Sequence, residues 1–135
     1  MQINAYLTFK GNCAEAFKFY ETCLGGKIEA LITHADVPQD AQMSPEWRDL
    51  IMHARLNVGG GILMGSDSPD DHFRAAQGIT VSLQIPSVAE AERIFAELSK
   101  DGTVTMPIQQ TFWATRFGMV TDRFGTPWMV NCETA

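Results

Sequence analysis

Apolar side chains recur along this chain at two spacings, and the spacings alternate. In residues 12–26, NCAEAFKFYETCLGG, the positions Ala16, Phe19, Tyr20 and Cys23 follow i, i+3, i+4, i+7, which predicts a helix with one buried stripe. Residues 87–102, SVAEAERIFAELSKDG, repeat the pattern with Ala91, Ile94, Phe95 and Leu98. Each copy opens on a short polar residue with Glu three positions later, Asn12 with Glu15 and Ser87 with Glu90. That is the pattern of a side chain capping the free N–H groups of a first turn. Each copy runs into glycine, Gly25-Gly26 or Gly102, where a helix ends at least cost. The caps lie 87 − 12 = 75 positions apart, and the helix faces keep that offset.

The repeat extends to the flanks. INAYLTF (3–9) and ITVSLQI (79–85) precede the two helices and read as strands, the second with strict alternation. KIEALITH and TVTMPIQQ follow them as strands. Two hairpins come next: DLIMHARLNV turns at Gly59-Gly60-Gly61 into ILMGS, and ATRFGMVTD turns at Arg123-Phe124-Gly125 into TPWMVNC. Each half therefore reads strand, helix, strand, strand, strand. A unit of about 60 residues buries too little surface to be comfortable alone, so the two are expected to share one domain. The expected organisation is a single α+β domain over 1–135, built from two βαβββ modules at about 1–66 and 78–135, with a polar linker at 67–77. The segment 34–47, HADVPQDAQMSPEW, is an extra loop of the first half, read as a lid, an interface loop or a solvated insertion.

Composition narrows the partners. The 135 residues are 45% hydrophobic and 19% charged, which suits a globular core. The net charge is -6 with no basic run, which argues against nucleic acid or an anionic membrane as partner. No apolar stretch is long enough to span a bilayer, and MQINAYLTFKGN lacks the marks of a signal peptide. Cys13, Cys23 and Cys132 form an odd set without a CxxC, expected as reduced thiols in a cytoplasmic protein.

The order and spacing of AYLTFKGNCAEAFKFY (5–20), LIMHARLNVGGGILMGSD (50–67) and FWATRFGMVTDRFGTPWMVN (112–131) carry a family resemblance. Together they cover nearly the whole chain, which resembles the vicinal oxygen chelate superfamily of glyoxalase I, extradiol dioxygenases, and fosfomycin- and bleomycin-resistance proteins. Within it the chain looks most like the PhnB-like branch. The resemblance implies a cup-shaped, mostly antiparallel sheet with helices outside, and often a homodimer. In the enzymes of that group it also implies a divalent metal in the cup, with one ligand from the first and one from the fourth strand of each half.

Counting from FKFY and from Asp122, and using the offset of 75, the corresponding positions are Ala5, Met64, Thr80 and Met129. Ala has no donor atom, Met offers a soft thioether and Thr is a poor lone ligand, so no metal and no cofactor is expected. Strand parity then places Thr80, Ser82 and Gln84 on one cup wall, Ala5, Leu7 and Phe9 on the opposite one, and Ile62, Met64 and Met129 between. An apolar lining with a few polar groups is the usual make-up of a small-molecule site, though Met and Phe can equally fill such a cup as core.

Other residues qualify singly. His53 lies mid-strand and is a candidate general base or ligand donor, against the alternative of a structural histidine. Arg116, if it faces the cup, would clamp a carboxylate or phosphonate; otherwise it would pair with Asp122 or Asp67. Trp113 and Trp47 are candidates to stack on a ligand at the rim or to pack at an interface. Cys13 beside the helix start is a candidate low-pKa thiol. His34 and His72 are read as solvated, and Asp67, Asp70, Asp71 and His72 as plain surface. Gly59-Gly60-Gly61 has no following Lys-Ser or Lys-Thr, so it is a turn and not a phosphate loop.

Three functions fit these residues. One is a metal-free protein binding a small, partly apolar molecule through Thr80, Ser82, Gln84, Met64, Met129 and Trp113. Another is an enzyme of the glyoxalase or dioxygenase type, or one working through His53 and Arg116. The third is a closed-cup structural module.

Overall fold

The computed structural model describes residues 1–38, 45–69 and 72–134. Its elements are β1 (Ala5–Phe9), α1 (Cys13–Leu24), β2 (Lys27–Thr33), β3 (Ile51–Val58), β4 (Gly61–Asp67), β5 (Val81–Gln84), α2 (Val88–Leu98), β6 (Thr103–Gln109), β7 (Arg116–Thr121) and β8 (Pro127–Cys132). Short 3-10 turns at His34–Asp36 and Pro45–Trp47 belong to the long loop of the first module, and the expected lid or interface role of that loop falls largely on residues outside those described. Asp70 and Asp71 also lie outside them. The architecture is the α+β arrangement of tandem βαβββ modules that the patterning predicts.

The chain divides into two compact units, Met1–Ala75 and Ala76–Ala135. In the first, the strand order is β1-β4-β3-β2; in the second, it is β5-β8-β7-β6. Each sheet has one parallel pair, between its first and last strands, and antiparallel pairs elsewhere. The parallel pair follows from the helix. The helical crossover sets the second strand of each module in the direction of the first, and two successive antiparallel reversals return the last strand to that direction, beside the first.

Each sheet is covered by its helix on one face. In the first unit α1 buries Cys13, Ala16, Phe17, Tyr20 and Cys23. Phe17, rather than Phe19, supplies the large ring of this stripe, and Phe19 is half-buried. Phe9, Phe17 and Tyr20 meet at ring distances of 5.9 to 6.4 Å, and Leu56, Leu63 and Ala54 close the core beneath them. Gly65 permits the contact, since a Cβ there would stand 2.9 Å from the Phe17 ring. In the second unit α2 buries Ala91, Ile94, Phe95 and Leu98 as predicted, over Val120, Trp128 and Val130. Here the close approach is at Gly118, where a Cβ would stand 2.6 Å from Phe95.

The helix ends differ from the pattern. Ser87 caps α2, its hydroxyl accepting the Glu90 N–H at 3.3 Å. Asn12 makes no side-chain cap; Asp67 of β4 takes that place, its Oδ1 accepting the N–H groups of Gly11 and Cys13 at 2.9 Å each. Asp67 Oδ2 also accepts the Ile51 N–H, so this residue is a structural anchor and not plain surface. α1 ends at Gly25 with φ 72, as expected. α2 stops earlier than Gly102, at Leu98, with Ser99 as its cap, and Asp101 takes the left-handed conformation with φ 57. The second turn, Asp122 to Thr126, is held by the buried Asp122 carboxylate, which accepts the N–H groups of Phe124 and Thr126 and the indole N–H of Trp128.

Candidate functional site

Strand register decides which side chains leave the helix side. In β1 and β4, Leu7 pairs with Gly65 and Ala5 with Leu63, and Gly65 and Phe9 pack against α1. Ala5, Leu7 and Phe9 therefore lie on the helix side, which corrects their placement on the opposite wall of a cup. Tyr6 pairs with Met64 and Thr8 with Ser66, on the helix-free face. In β5 and β8, Val81 pairs with Trp128 and Leu83 with Val130 on the helix side, whereas Ser82 pairs with Met129 and Gln84 with Asn131 on the helix-free face.

The equivalent of Met64 is Met129, so the equivalent of Tyr6 is Ser82, at a separation of 82 − 6 = 76 positions. The offset of 75 that relates the helices fails for the strands because the second module is one residue shorter between strand and helix. A slip of one residue along a strand moves every side chain to the other face. The positions of first and last strand that share the helix-free face are thus Tyr6 with Met64 and Ser82 with Met129. They replace Ala5 and Thr80 in the expected set.

On the first helix-free face, β3 contributes His53, Arg55 and Asn57. The Tyr6 hydroxyl lies 3.3 Å from His53 Nδ1, and the two rings are stacked with centroids 5.8 Å apart. His53 thus has a specific neighbour that the sequence pattern did not identify. Arg55 Nε donates to Glu29 Oε1 at 2.9 Å, and Asn57 Nδ2 donates to Glu29 Oε2 at 3.2 Å. The bulge between Ile28 and Ala30 lets Glu29 turn toward them. The hydrogen bond from Arg55, followed by that from Asn57, holds the Glu29 carboxyl below the usual carboxylate range. Arg55 Nη1 also reaches Met64 Sδ at 4.0 Å.

The second helix-free face is uncharged. The four strands β5 to β8 contain one ionisable side chain that is charged at neutral pH, Arg116. Arg116 Nε donates to Glu92 of α2 at 2.9 Å, so it lies on the helix side and pairs with neither Asp122 nor Asp67. That geometry removes the expected clamp for an anionic ligand. Asn131 Nδ2 donates to Gln84 Oε1 at 2.8 Å, and Gln84 Nε2 donates to Ser82 Oγ at 3.0 Å. Phe117, the register partner of Asn131, is covered by Trp113 at a ring distance of 5.1 Å. Met119 pairs with Met129 beside them. Thr80 is half-buried and lies one residue ahead of β5, outside the paired strand.

Three expectations change elsewhere. His34 is 7% exposed, not solvated; it contacts Trp47 edge-on at 6.0 Å, and its Nδ1 has no hydrogen-bond partner among the described residues. Cys13 is fully buried, and burial, then the Asp67 carboxylate, push its thiol well above the usual range, opposite to activation by a helix start. Cys23 and Cys132 are buried too. His72 is exposed.

A divalent metal of the kind the resemblance implies does not fit these positions. Tyr6 and Ser82 offer neutral hydroxyls, and Met64 and Met129 offer soft thioethers, against the imidazole and carboxylate donors that such a metal needs. Among the described residues, no group of three or more His, Cys, Asp or Glu is placed to hold a metal ion. Among the described residues, no helix is long and apolar enough to cross a membrane.

Comparison with known proteins agrees with the fold. The model of the Glyoxalase/Bleomycin resistance protein/Dioxygenase superfamily matches residues 2–130. Protein YjdN of Escherichia coli (strain K12) is 37% identical over 139 residues, spanning 97% of this chain and 95% of that protein. The crystal structure of protein PA1353 from Pseudomonas aeruginosa shares 48% identity with a TM-score of 0.92, over 100% of this chain and 99% of that one. A PhnB protein from Bacillus cereus, described as a putative 3-demethylubiquinone-9 3-methyltransferase, is 21% identical with a TM-score of 0.80, over 98% and 99% of the two chains, a likeness of fold alone.

Proposed function

The chain belongs to the glyoxalase/bleomycin resistance protein/dioxygenase superfamily, and on that premise we propose that it binds a small, partly apolar molecule, without a metal ion, in the cytoplasm. The observation that carries this reading is the identity of the paired positions on the helix-free faces. Tyr6 with Met64 and Ser82 with Met129 replace metal donors by hydroxyls and thioethers. From Ser82 and Met129 the face continues to Met119 in one row and to Gln84, Asn131 and Phe117, the last covered by Trp113, in the next. Apolar area with a few placed polar groups is what a small-molecule site needs.

A second reading, an enzyme without a metal, is favoured by the Tyr6–His53 contact. The phenol hydroxyl and the imidazole can pass a proton between them, leaving Nε2 of His53 to meet a substrate. The binding reading needs no such step.

Two measurements test the proposal. Protein labelled at the methionine methyl carbons is titrated with ethylbenzene and followed by NMR. Saturable shifts of the Met129 and Met119 signals are expected; signals that do not move overturn the site. Elemental analysis after dialysis is expected to find no stoichiometric divalent metal. One retained equivalent of zinc, nickel, manganese or iron per chain overturns the metal-free part.

A further inference from the structure

We infer that the helix-free face of the second module selects an uncharged ligand bearing a hydrogen-bond acceptor oxygen, a ketone, aldehyde, ester or amide carbonyl, and that Ser82 is the residue that donates to it. The inference rests on the binding reading above and gives it a ligand class.

The argument starts at the buried end of the hydrogen-bonded run. Asn131 is 8% exposed, and its amide N–H donates to Gln84 Oε1 at 2.8 Å. Its own Oδ1 is left without a partner. The reverse orientation of both amides would instead leave the Asn131 NH₂ without its acceptor, and a buried N–H without a partner is the rarer and costlier case than an under-satisfied carbonyl. The direction of the run is therefore set from inside. Gln84, fixed by Asn131, must present its NH₂ to Ser82, and Nε2 donates to Ser82 Oγ at 3.0 Å.

Ser82 then keeps its single proton to donate, beside one remaining acceptor lone pair. Its oxygen is already an acceptor, and its hydroxyl proton has no acceptor among the described residues. A hydroxyl that accepts from a polarised amide donates more strongly, because successive hydrogen bonds polarise one another. Ser82 is exposed on the strand, so the free end of the run meets whatever binds there. Asn131 and Gln84 act as positioning residues, and Ser82 makes the contact.

Charge sets the rest of the class. The single charged side chain of the four strands, Arg116, is turned to Glu92. A carboxylate or phosphonate placed beside Ser82 would lose water with no cation on this face to compensate, which is unfavourable. A neutral carbonyl loses far less and recovers a hydrogen bond. The Trp113 ring, seated on the buried Phe117, and the side chains of Met119 and Met129 take the apolar remainder of such a molecule.

The test compares three probes of similar shape: acetophenone, which has the acceptor oxygen; ethylbenzene, which lacks it; and benzoate, which carries a charge. Dissociation constants are measured by the methionine-methyl NMR titration for the native chain, Ser82→Ala, Ser82→Thr and Gln84→Leu. The affinity ratio of acetophenone to ethylbenzene is expected to fall about tenfold in Ser82→Ala, to survive in Ser82→Thr, and to fall about threefold in Gln84→Leu. A ratio unaltered in Ser82→Ala overturns the inference and leaves the binding reading standing. Benzoate binding as tightly as acetophenone overturns the neutral class. Failure of both acetophenone and ethylbenzene to bind the native chain overturns the inference together with the binding reading.

Discussion

The carboxylate of Asp67 accepts the backbone N–H of Cys13 at 2.9 Å, so the first turn of α1 is capped by a residue 54 positions downstream. Its other contacts, with Gly11 N and Ile51 N, tie the helix start, the end of β1 and the start of β3 to one side chain at the end of β4. α2 has a local cap instead, Ser87. The two modules share a plan but close their helix starts by different means.

Asp67→Ala removes the acceptor of three backbone donors at once. It is expected to destabilise the chain by about 2–4 kcal/mol, whereas Ser87→Ala, which removes one cap bond, is expected to cost about 1 kcal/mol. Urea unfolding followed by tryptophan fluorescence measures both. Equal losses from the two variants would show that Asp67 acts as an ordinary cap and not as a tie between elements.

The same contrast shows what was legible in the sequence. The helix stripe of α2 and the bounds of most strands follow from periodicity, because burial on one face imposes spacing directly. Asn12 looks like a cap because a cap is usually local, and nothing along the chain marks a partner 54 residues away. Tyr6 escaped for a related reason. The repeat offset was taken from the helices, and one residue fewer between strand and helix in the second module reversed the faces assigned to β1. Asn131 is invisible in the sequence as a partner of Gln84, since their contact depends on the parallel pairing of β5 with β8. Arg116 had the right residue type for an anion clamp, but strand parity at β7 turns it to Glu92.

The Cys13 thiol gives the stability a pH dependence on the alkaline side. Its folded pKa is raised, by burial first and by the Asp67 charge second. In the unfolded chain the thiol ionises near the ordinary value of about 8.5. The folded state therefore holds a proton that the unfolded state gives up. The contribution is fully present below about pH 8.5 and is lost as pH rises from there toward the folded value, at no more than about 1.4 kcal/mol per pH unit. Between pH 8 and 10 the native chain should lose stability faster than Cys13→Ala, as read from urea midpoints. Parallel curves for the two proteins would refute this. In line with it, Cys13 should resist a thiol reagent in the folded protein and react once urea unfolds it.

Phe112 and Trp113 lead to the last prediction, a homodimer. They sit at the turn between β6 and β7, 97% and 45% exposed, with rings 4.9 Å apart. The turn holds them outward: Thr111 N–H donates to Ala114 O at 3.0 Å, and Ala114 N–H donates to Thr111 Oγ1 at 3.1 Å. Ile3 and Ile79 are exposed as well. A rigid turn that presents two aromatic rings to water is costly for a lone chain, and a self-complementary contact with a second copy offsets that cost. Sedimentation equilibrium at micromolar concentration is expected to give twice the chain mass of 14.9 kDa. Replacing both rings, Phe112→Ser with Trp113→Ser, is expected to shift the mass toward one chain while leaving the unfolding transition cooperative. A native chain that sediments at 14.9 kDa across that range rules the dimer out. A double variant that remains dimeric moves the interface away from this turn.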